Sequence, residues 1–176
     1  MIQLSTNQEL HIDHVLICVG LEGVTAGACI TSAVSGTDLE VTGVDFQALY
    51  TRQKSQQLFP LHLRVFEKFG ILMVNASIPD VAATELGHAI ISWLLALDVK
   101  QFSIACSVHV PPSAHDLSLV SLYGSVQLDK FPRVPNGCAI SNPLLAALIH
   151  YTRILQIPYS CFVISHSTTK VICYVY

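Results

Sequence analysis

Two helix-then-strand units of the same design constrain the fold of this chain more than any other feature. The first, over 82–110, reads AATELGHAIISWLLALDVKQFSIACSVHV, and the second, over 142–166, reads NPLLAALIHYTRILQIPYSCFVISH. In each unit an apolar run of helical length reaches a short pivot, Leu97-Asp98-Val99 or Leu155-Gln156-Ile157, and a run typical of a buried strand follows. Helices joined to strands by such tight turns predict a layered α/β domain.

The rest of the chain predicts further strands and one more helix. The apolar run at 14–19 predicts a buried first strand, and the small residues of 24–35 predict a helix after a turn at 20–23. Other strands are predicted at 39–47, at 63–67 and 71–77 as a hairpin closed near 68–70, and at 170–176, with two short strands in 117–128 broken at Gly124. This order predicts three helices on one mixed sheet, in a single domain of residues 1–176.

Charged residues are scarce in this chain. They make up 12% of the 176 residues, whereas 52% are hydrophobic, and ordinary soluble domains carry about 25% charged residues. Because so few charges are available to cover the surface, we expect one face to be covered by a protein partner. We therefore expect the chain to be poorly soluble alone and well behaved with a related subunit.

The sequence also limits which cellular compartments and which kinds of ligand fit this chain. The best apolar run, 89–97, is shorter than the roughly 20 residues of a membrane span. The N-terminal segment lacks the basic start and the apolar core of a secretory signal. None of the six cysteines has CxxC spacing, which argues against a disulfide or zinc framework. The net charge of −3, without a cluster of basic residues, argues against nucleic-acid binding. We expect a cytoplasmic or nuclear protein.

A glycine-rich turn after the first strand is the feature that favours a nucleotide-binding enzyme. A strand, a glycine turn and a helix together hold the pyrophosphate in dinucleotide-binding folds. The spacing here is Gly20-x-x-Gly23-x-x-x-Gly27 rather than GxGxxG, and Glu22 places a carboxylate where a phosphate would lie. Asp45 could take the place of the ribose-binding acid. The other interpretation is that the glycines serve a tight turn and close helix packing, so an enzyme on a Rossmann-like sheet stays the second candidate.

Other reactive side chains form no catalytic or metal-binding motif. Cys106 precedes His109 by three residues, which could indicate a thiolate pair, although a buried strand cysteine near a loop histidine is commoner. His109, His115 and Asp116 could hold a metal, but HExxH and cysteine pairs are absent. The remaining candidates read as helix-boundary or core side chains: His88, His150, Trp93 and Phe102. We therefore assign no catalytic, cofactor-binding or metal-ligating residue.

Both helix-strand units resemble those of the proteasome assembly chaperone family, including its archaeal relatives. There, a helix ending in an apolar, Trp-type stretch leads through a short turn into a strand, as ATELGHAIISWLLALDVKQFSIACS does at 83–107. The segment PNGCAISNPLLAALIHYTRILQIPYSCFVIS at 135–165 is similar to the family's loop, small-residue helix and Ile-Pro before the last core strand, here Ile157-Pro158. With HVLICVG at 14–20 as the first strand, the resemblance spans about 14–166.

The resemblance implies a three-layer α/β domain, with a mixed, mostly parallel sheet flanked by helices in a Rossmann- or phosphorylase-like arrangement. It also implies a non-enzymatic chaperone subunit without a cofactor. Such a subunit pairs with a second chaperone subunit, and the heterodimer acts on the proteasome α-subunit ring. Family members often end in a hydrophobic residue, tyrosine and any residue, whereas this chain ends Tyr174-Val175-Tyr176. We therefore expect 171–176 to be a structural strand and any tail docking to come from the partner.

Overall fold

The computed structural model describes residues 3–6, 10–44, 61–75, 78–108, 120–126, 128–134 and 138–165. The helices in these ranges are α1 Gly20–Ala33, α2 Asp80–Ala96 and α3 Pro143–Ile154. The strands are β1 Gln3–Ser5, β2 His14–Cys18, β3 Thr37–Glu40, β4 Thr42–Val44, β5 Leu61–Phe66, β6 Phe69–Val74, β7 Gln101–Val108, β8 Val120–Gly124 and β9 Tyr159–Ser165. None of these helices is both long enough and apolar enough to cross a membrane.

Seven strands form one mixed sheet in the order β3-β5-β6-β2-β7-β9-β8. The four central strands, β6, β2, β7 and β9, run parallel, whereas β5 and β3 on one side and β8 on the other pair antiparallel. The central strands are rich in apolar residues, as expected where both faces of a parallel sheet are covered. β1 and β4 form a separate small antiparallel sheet.

Helices cover both faces of the large sheet and give the predicted three layers. Along β2, Ile17 points into a large core shared with α2 and α3, whereas Leu16 and Cys18 point to the opposite face, where α1 lies. Trp93 and Phe102 both belong to the large core, and Phe102 is fully buried. The α/β fold class predicted from the sequence is therefore confirmed.

The turns that follow α2 and α3 have the same backbone geometry. Asp98 in the first turn has φ 59° and Gln156 in the second has φ 55°, both in the left-handed region. The equivalent main-chain hydrogen bonds run from Val99 N–H to the Leu94 carbonyl (3.1 Å) and from Ile157 N–H to the Thr152 carbonyl (2.9 Å). Both turns are thus Schellman C-caps with a left-handed residue just after the cap, placed at the two predicted pivots.

Three predicted elements differ from the structure. α1 begins at Gly20, since a φ of 76° at this glycine turns the chain from β2 directly into the helix, so 20–23 form the first helical turn. The strand predicted from 39 is instead β3 and β4, which belong to different sheets and are separated by the buried Val41. In place of the strand pair predicted in 117–128, the described residues of that range form one strand, which ends at Gly124, where φ reaches 142°. The strand predicted at 170–176 lies outside the described residues.

Candidate protein-interaction surface

One side of α1 is formed by uncharged residues, and Glu22 is the one charged residue in the sequence of this helix. Five side chains that recur with helical spacing form this side, and we call them the α1 outer face: Leu21, Thr25, Ala28, Cys29 and Ser32. A surface helix normally directs charged residues to the solvent. The hydroxyls of Thr25 and Ser32 donate to the carbonyls of Leu21 and Cys29, each over 2.7 Å. A partner could therefore cover these hydroxyls without leaving a donor unpaired.

The inner side of α1 is built from glycines because the helix lies directly on the sheet. A β-carbon on Gly27 would stand 2.7 Å from Sγ of Cys18 on β2, and one on Gly23 would be closer still to the backbone of β7. Real β-carbons do not approach other atoms so closely, so Gly23 requires glycine, and a larger residue at Gly27 would require Cys18 to shift. Of the two interpretations of these glycines, close helix packing is the one that accounts for their positions.

An aromatic cluster lies beside the C-terminal end of α1. Phe66 and Phe69 have ring centroids 5.1 Å apart, and His14 meets Phe69 edge-to-face at 5.0 Å. All three side chains are half-buried and occupy neighbouring register positions on β5, β6 and β2. Arg64, two residues before Phe66, donates to the carbonyl of Val34 just after α1 (3.1 Å). The cluster therefore lies on the same face of the sheet as α1.

His14 contributes to this cluster as a neutral ring. Its Nε2 lies 2.8 Å from Oγ of Ser103 on β7. Burial lowers the pKa of His14 below its ordinary value, because desolvation disfavours the charged imidazolium. The cluster is thus uncharged at neutral pH.

Charged side chains lie at the border of this surface and pair with one another. Arg64 donates to both carboxylate oxygens of Asp38, over 3.1 and 3.2 Å, and His62 Nε2 lies 3.0 Å from the same carboxylate. Because β3 and β5 are neighbours, these three groups form one network at the strand pair next to the end of α1. The network therefore lies on β3 and β5, next to the end of α1.

The cysteines that the structure describes in the sheet core are unreactive thiols. Cys106 points into the large core, and its Sγ lies 3.3 Å from Sγ of Cys161 on the neighbouring strand. The hydrogen bond with Cys106 and burial raise the pKa of Cys161, and burial raises the pKa of Cys18 to about 12. Such inaccessible thiols behave as small hydrophobes. The other members of the sequence-derived candidate sites lie outside the described residues: Asp45, His109, His115 and Asp116.

His88 and His150 are exposed on α2 and α3. Both rings contact Tyr151, with centroid separations of 5.1 and 5.7 Å, and His88 Nε2 lies 3.4 Å from Oγ of Ser92. In the ranges that the structure covers, no three His, Cys, Asp or Glu side chains are grouped closely enough to hold a metal ion. These histidines are therefore solvent-facing helix residues that pack on a tyrosine.

The position of the uncharged surface was not predicted. The low charge content predicted a covered face without locating it, although Glu22 is the only charged residue in the sequence 20–33. In the same segment, the spacing of Gly20, Gly23 and Gly27 gives a competing pattern, that of a phosphate-binding turn. The aromatic cluster had no comparable signal, because strand pairing alone brings Phe66 next to His14 through Phe69.

No model of a known protein family matches this chain, and no curated protein matches its sequence. Solved structures match it in three dimensions. PbaA from Pyrococcus furiosus, an archaeal homolog of proteasome-assembly chaperone, superposes with a TM-score of 0.70 at 11% identity, over 94% of this chain and 76% of PbaA. The chain has the PbaA fold.

Two further structures share this fold. PbaB from Pyrococcus furiosus, an archaeal proteasome activator, has a TM-score of 0.66 at 9% identity, over 94% of this chain and 80% of PbaB. A Mycobacterium tuberculosis proteasome-assembly chaperone homologue has a TM-score of 0.56 at 12% identity, over 88% of this chain and 75% of that protein. At such identities the similarity concerns the fold.

Proposed function

We propose that this chain is a non-enzymatic chaperone subunit of the proteasome assembly chaperone family, most like proteasome assembly chaperone 1. Residues 1–176 form one chaperone domain that uses no cofactor. The subunit pairs with a second chaperone subunit as a heterodimer in the cytoplasm and nucleus, and the pair promotes assembly of the α-subunit ring of the proteasome core particle. The fold shared with PbaA and PbaB and the resemblance of both helix-strand units support this proposal.

The observation that carries the proposal is the uncharged α1 outer face. Covering it removes apolar surface from water, worth about 25 cal/mol per Å², and the hydroxyls of Thr25 and Ser32 already have acceptors within the helix. A stable interface buries about 800 Å² on each partner, which is more than one helix face provides. The neighbouring aromatic cluster of Phe66, Phe69 and His14 supplies further uncharged area for the same partner.

We do not propose a nucleotide-binding enzyme, because the packing of α1 on the sheet accounts for Gly23 and Gly27, two of the glycines that suggested it. Thermal unfolding with ATP or a dinucleotide tests this choice. A ligand at a hundred times its dissociation constant would stabilise the protein by about 2.7 kcal/mol. We expect no rise in Tm, and a reproducible rise would favour the enzyme.

Affinity purification of the tagged full chain from cells, with mass spectrometric identification of its partners, tests the proposed function. We expect a second chaperone subunit and proteasome α subunits in the eluate. Size exclusion with light scattering should then give aggregates for the chain expressed alone and a monodisperse heterodimer after co-expression. A soluble, monodisperse monomer that recovers no α subunit would contradict the proposal.

A further inference from the structure

An open cleft of about 500 Å³ lies between the C-terminal end of α3, the start of β9 and the end of β8. Its walls include Gly124 and Ser125 from the end of β8, Arg153 and Gln156 from the end of α3, and Tyr159 from β9. This volume is within the range of small-ligand pockets. The cleft is lined by α3, on the face of the sheet opposite to α1.

Arg153 is held in place at this cleft by two tyrosines. Its Nε donates to the hydroxyl of Tyr159 over 3.1 Å, and its Nη2 donates to the hydroxyl of Tyr123, whose ring lies 5.4 Å from the guanidinium carbon. Burial raises the pKa of Tyr159, so its phenol stays protonated and accepts the hydrogen bond without taking up the charge. A side chain fixed in this way loses less rotamer entropy when it binds a ligand.

The guanidinium keeps unused donors and has no counter-ion in the cleft. Arginine has five N–H groups, and the two tyrosines take two of them. Among the residues that the structure describes, the cleft lining contains no Asp or Glu, and Arg153 forms no ion pair. The remaining N–H groups are therefore available to an anion, and a planar carboxylate can accept two of them.

Part of the cleft lining is apolar. Val126, Ile157 and Pro158 form this part. A small free anion would satisfy the guanidinium and leave these apolar side chains in water. A peptide with a carboxylate and a neighbouring apolar side chain would satisfy both.

We propose that this cleft binds a peptide segment of a partner protein that carries a carboxylate next to an apolar side chain. The carboxylate accepts hydrogen bonds from Arg153, and the apolar side chain covers Val126, Ile157 and Pro158. This site is independent of the proposed heterodimer, because it uses the α3 side of the sheet and not the α1 outer face.

Saturation-transfer difference NMR with the full chain tests this proposal, because it detects weak ligands at low protein concentration. The probes are an acetylated, amidated Leu-Glu-Leu peptide and the same peptide with glutamine in place of glutamate. A hydrogen bond to a charged group is worth about 1.5–3 kcal/mol, so the glutamate peptide should bind at least about tenfold more tightly. Its affinity should fall as NaCl rises from about 0.05 to 0.5 M.

Two variants separate binding from folding. Gln156→Glu is nearly isosteric, leaves the bonds from Arg153 to its tyrosines in place and puts a competing carboxylate in the cleft. This variant should weaken binding of the glutamate peptide at least about fivefold and leave the Tm of the protein unchanged. Arg153→Gln should remove the preference for glutamate over glutamine.

Three results would overturn the proposal. The first is equal affinity for the two peptides, and the second is unchanged glutamate-peptide binding in the folded Gln156→Glu variant. The third is acetate binding as tightly as the peptide, because this would make the cleft a site for small anions only.

Discussion

A β-carbon placed on Gly23 of α1 would lie 2.2 Å from the carbonyl oxygen of Ala105 on β7. At this point the helix contacts the backbone of the sheet, and no side chain fits between them. The same close approach at Gly27 brings α1 onto Cys18. The glycine spacing that resembles a phosphate-binding turn is therefore a requirement of helix-on-sheet packing.

Gly23→Ala should destabilise the protein by about 1–3 kcal/mol, the usual cost of overpacking. Helix propensity alone predicts the opposite sign, because alanine is favoured over glycine by about 1 kcal/mol in a helix interior. Chemical denaturation measures the change. Thr25→Ala, at an exposed position of the same helix, is the control and should leave stability unchanged or slightly raised. A stabilised Gly23→Ala variant would mean that α1 does not lie on β7.

Gln156→Gly should stabilise the protein by about 0.5–1 kcal/mol, because its φ of 55° is costly for a residue with a β-carbon. Asp98→Gly should give a smaller gain, since aspartate tolerates the left-handed region better. Gln156→Ala keeps the β-carbon and is the control, with no gain expected. Thermal unfolding of the three variants checks this order, and an equal response of Gln156→Gly and Gln156→Ala would contradict the proposed cap geometry.

The elements that could be predicted from the sequence are those with long, uniform patterns. Both helix-strand units and the hairpin of β5 and β6 were predictable because elements of 6–17 residues with a regular apolar pattern end at clear breaks. The left-handed conformations at Asp98 and Gln156 carry no glycine signal, since the turn geometry is imposed by helix and strand packing. The start of α1 was missed because Gly20 reads as a turn residue and here begins a helix.

The candidate sites were less predictable than the fold. Arg153 and Tyr123 are 30 residues apart in the chain and meet only because β8 pairs with β9 next to α3. Pairwise contacts of this kind depend on strand order, which propensity and periodicity do not encode. The charge-poor stretch of α1, with Glu22 as its one charged residue, could in contrast have been identified from composition alone.

Acidification should destabilise the protein in part through His14. Its pKa in the folded state is lowered by burial, whereas in the unfolded chain it lies near 6.5. As the pH falls, the unfolded state therefore binds the proton before the folded state does. The contribution of the neutral His14 to stability is complete above about pH 6.5 and is lost as the pH falls below that value. His14→Gln should show a smaller loss of Tm than the unmodified protein between about pH 7.5 and 5.5. Identical slopes would contradict this role.

Removal of residues 174–176 should lower thermal stability or solubility. These residues lie outside the described ranges, and the prediction rests on KVICYVY, which is apolar at alternating positions on both faces. Each fully buried aliphatic side chain contributes about 1.5–3 kcal/mol. Differential scanning fluorimetry and co-purification of the truncated chain test this. A truncated chain that melts normally, keeps its partner and loses only α-ring binding would show that the tail is a docking peptide.

Insertion of a charge into the α1 outer face tests the central claim most directly. Ala28→Arg and Thr84→Arg both place an arginine at an exposed helical position, the first on α1 and the second, as the control, on α2. The measurement is the amount of second chaperone subunit and of proteasome α subunits recovered with each tagged chain. The account predicts that Thr84→Arg recovers the second chaperone subunit and the α subunits at the level of the unmodified chain. Ala28→Arg should melt normally and lose both partners, because an unpaired charge would be buried at the interface. Full recovery of both partners by Ala28→Arg would contradict the account.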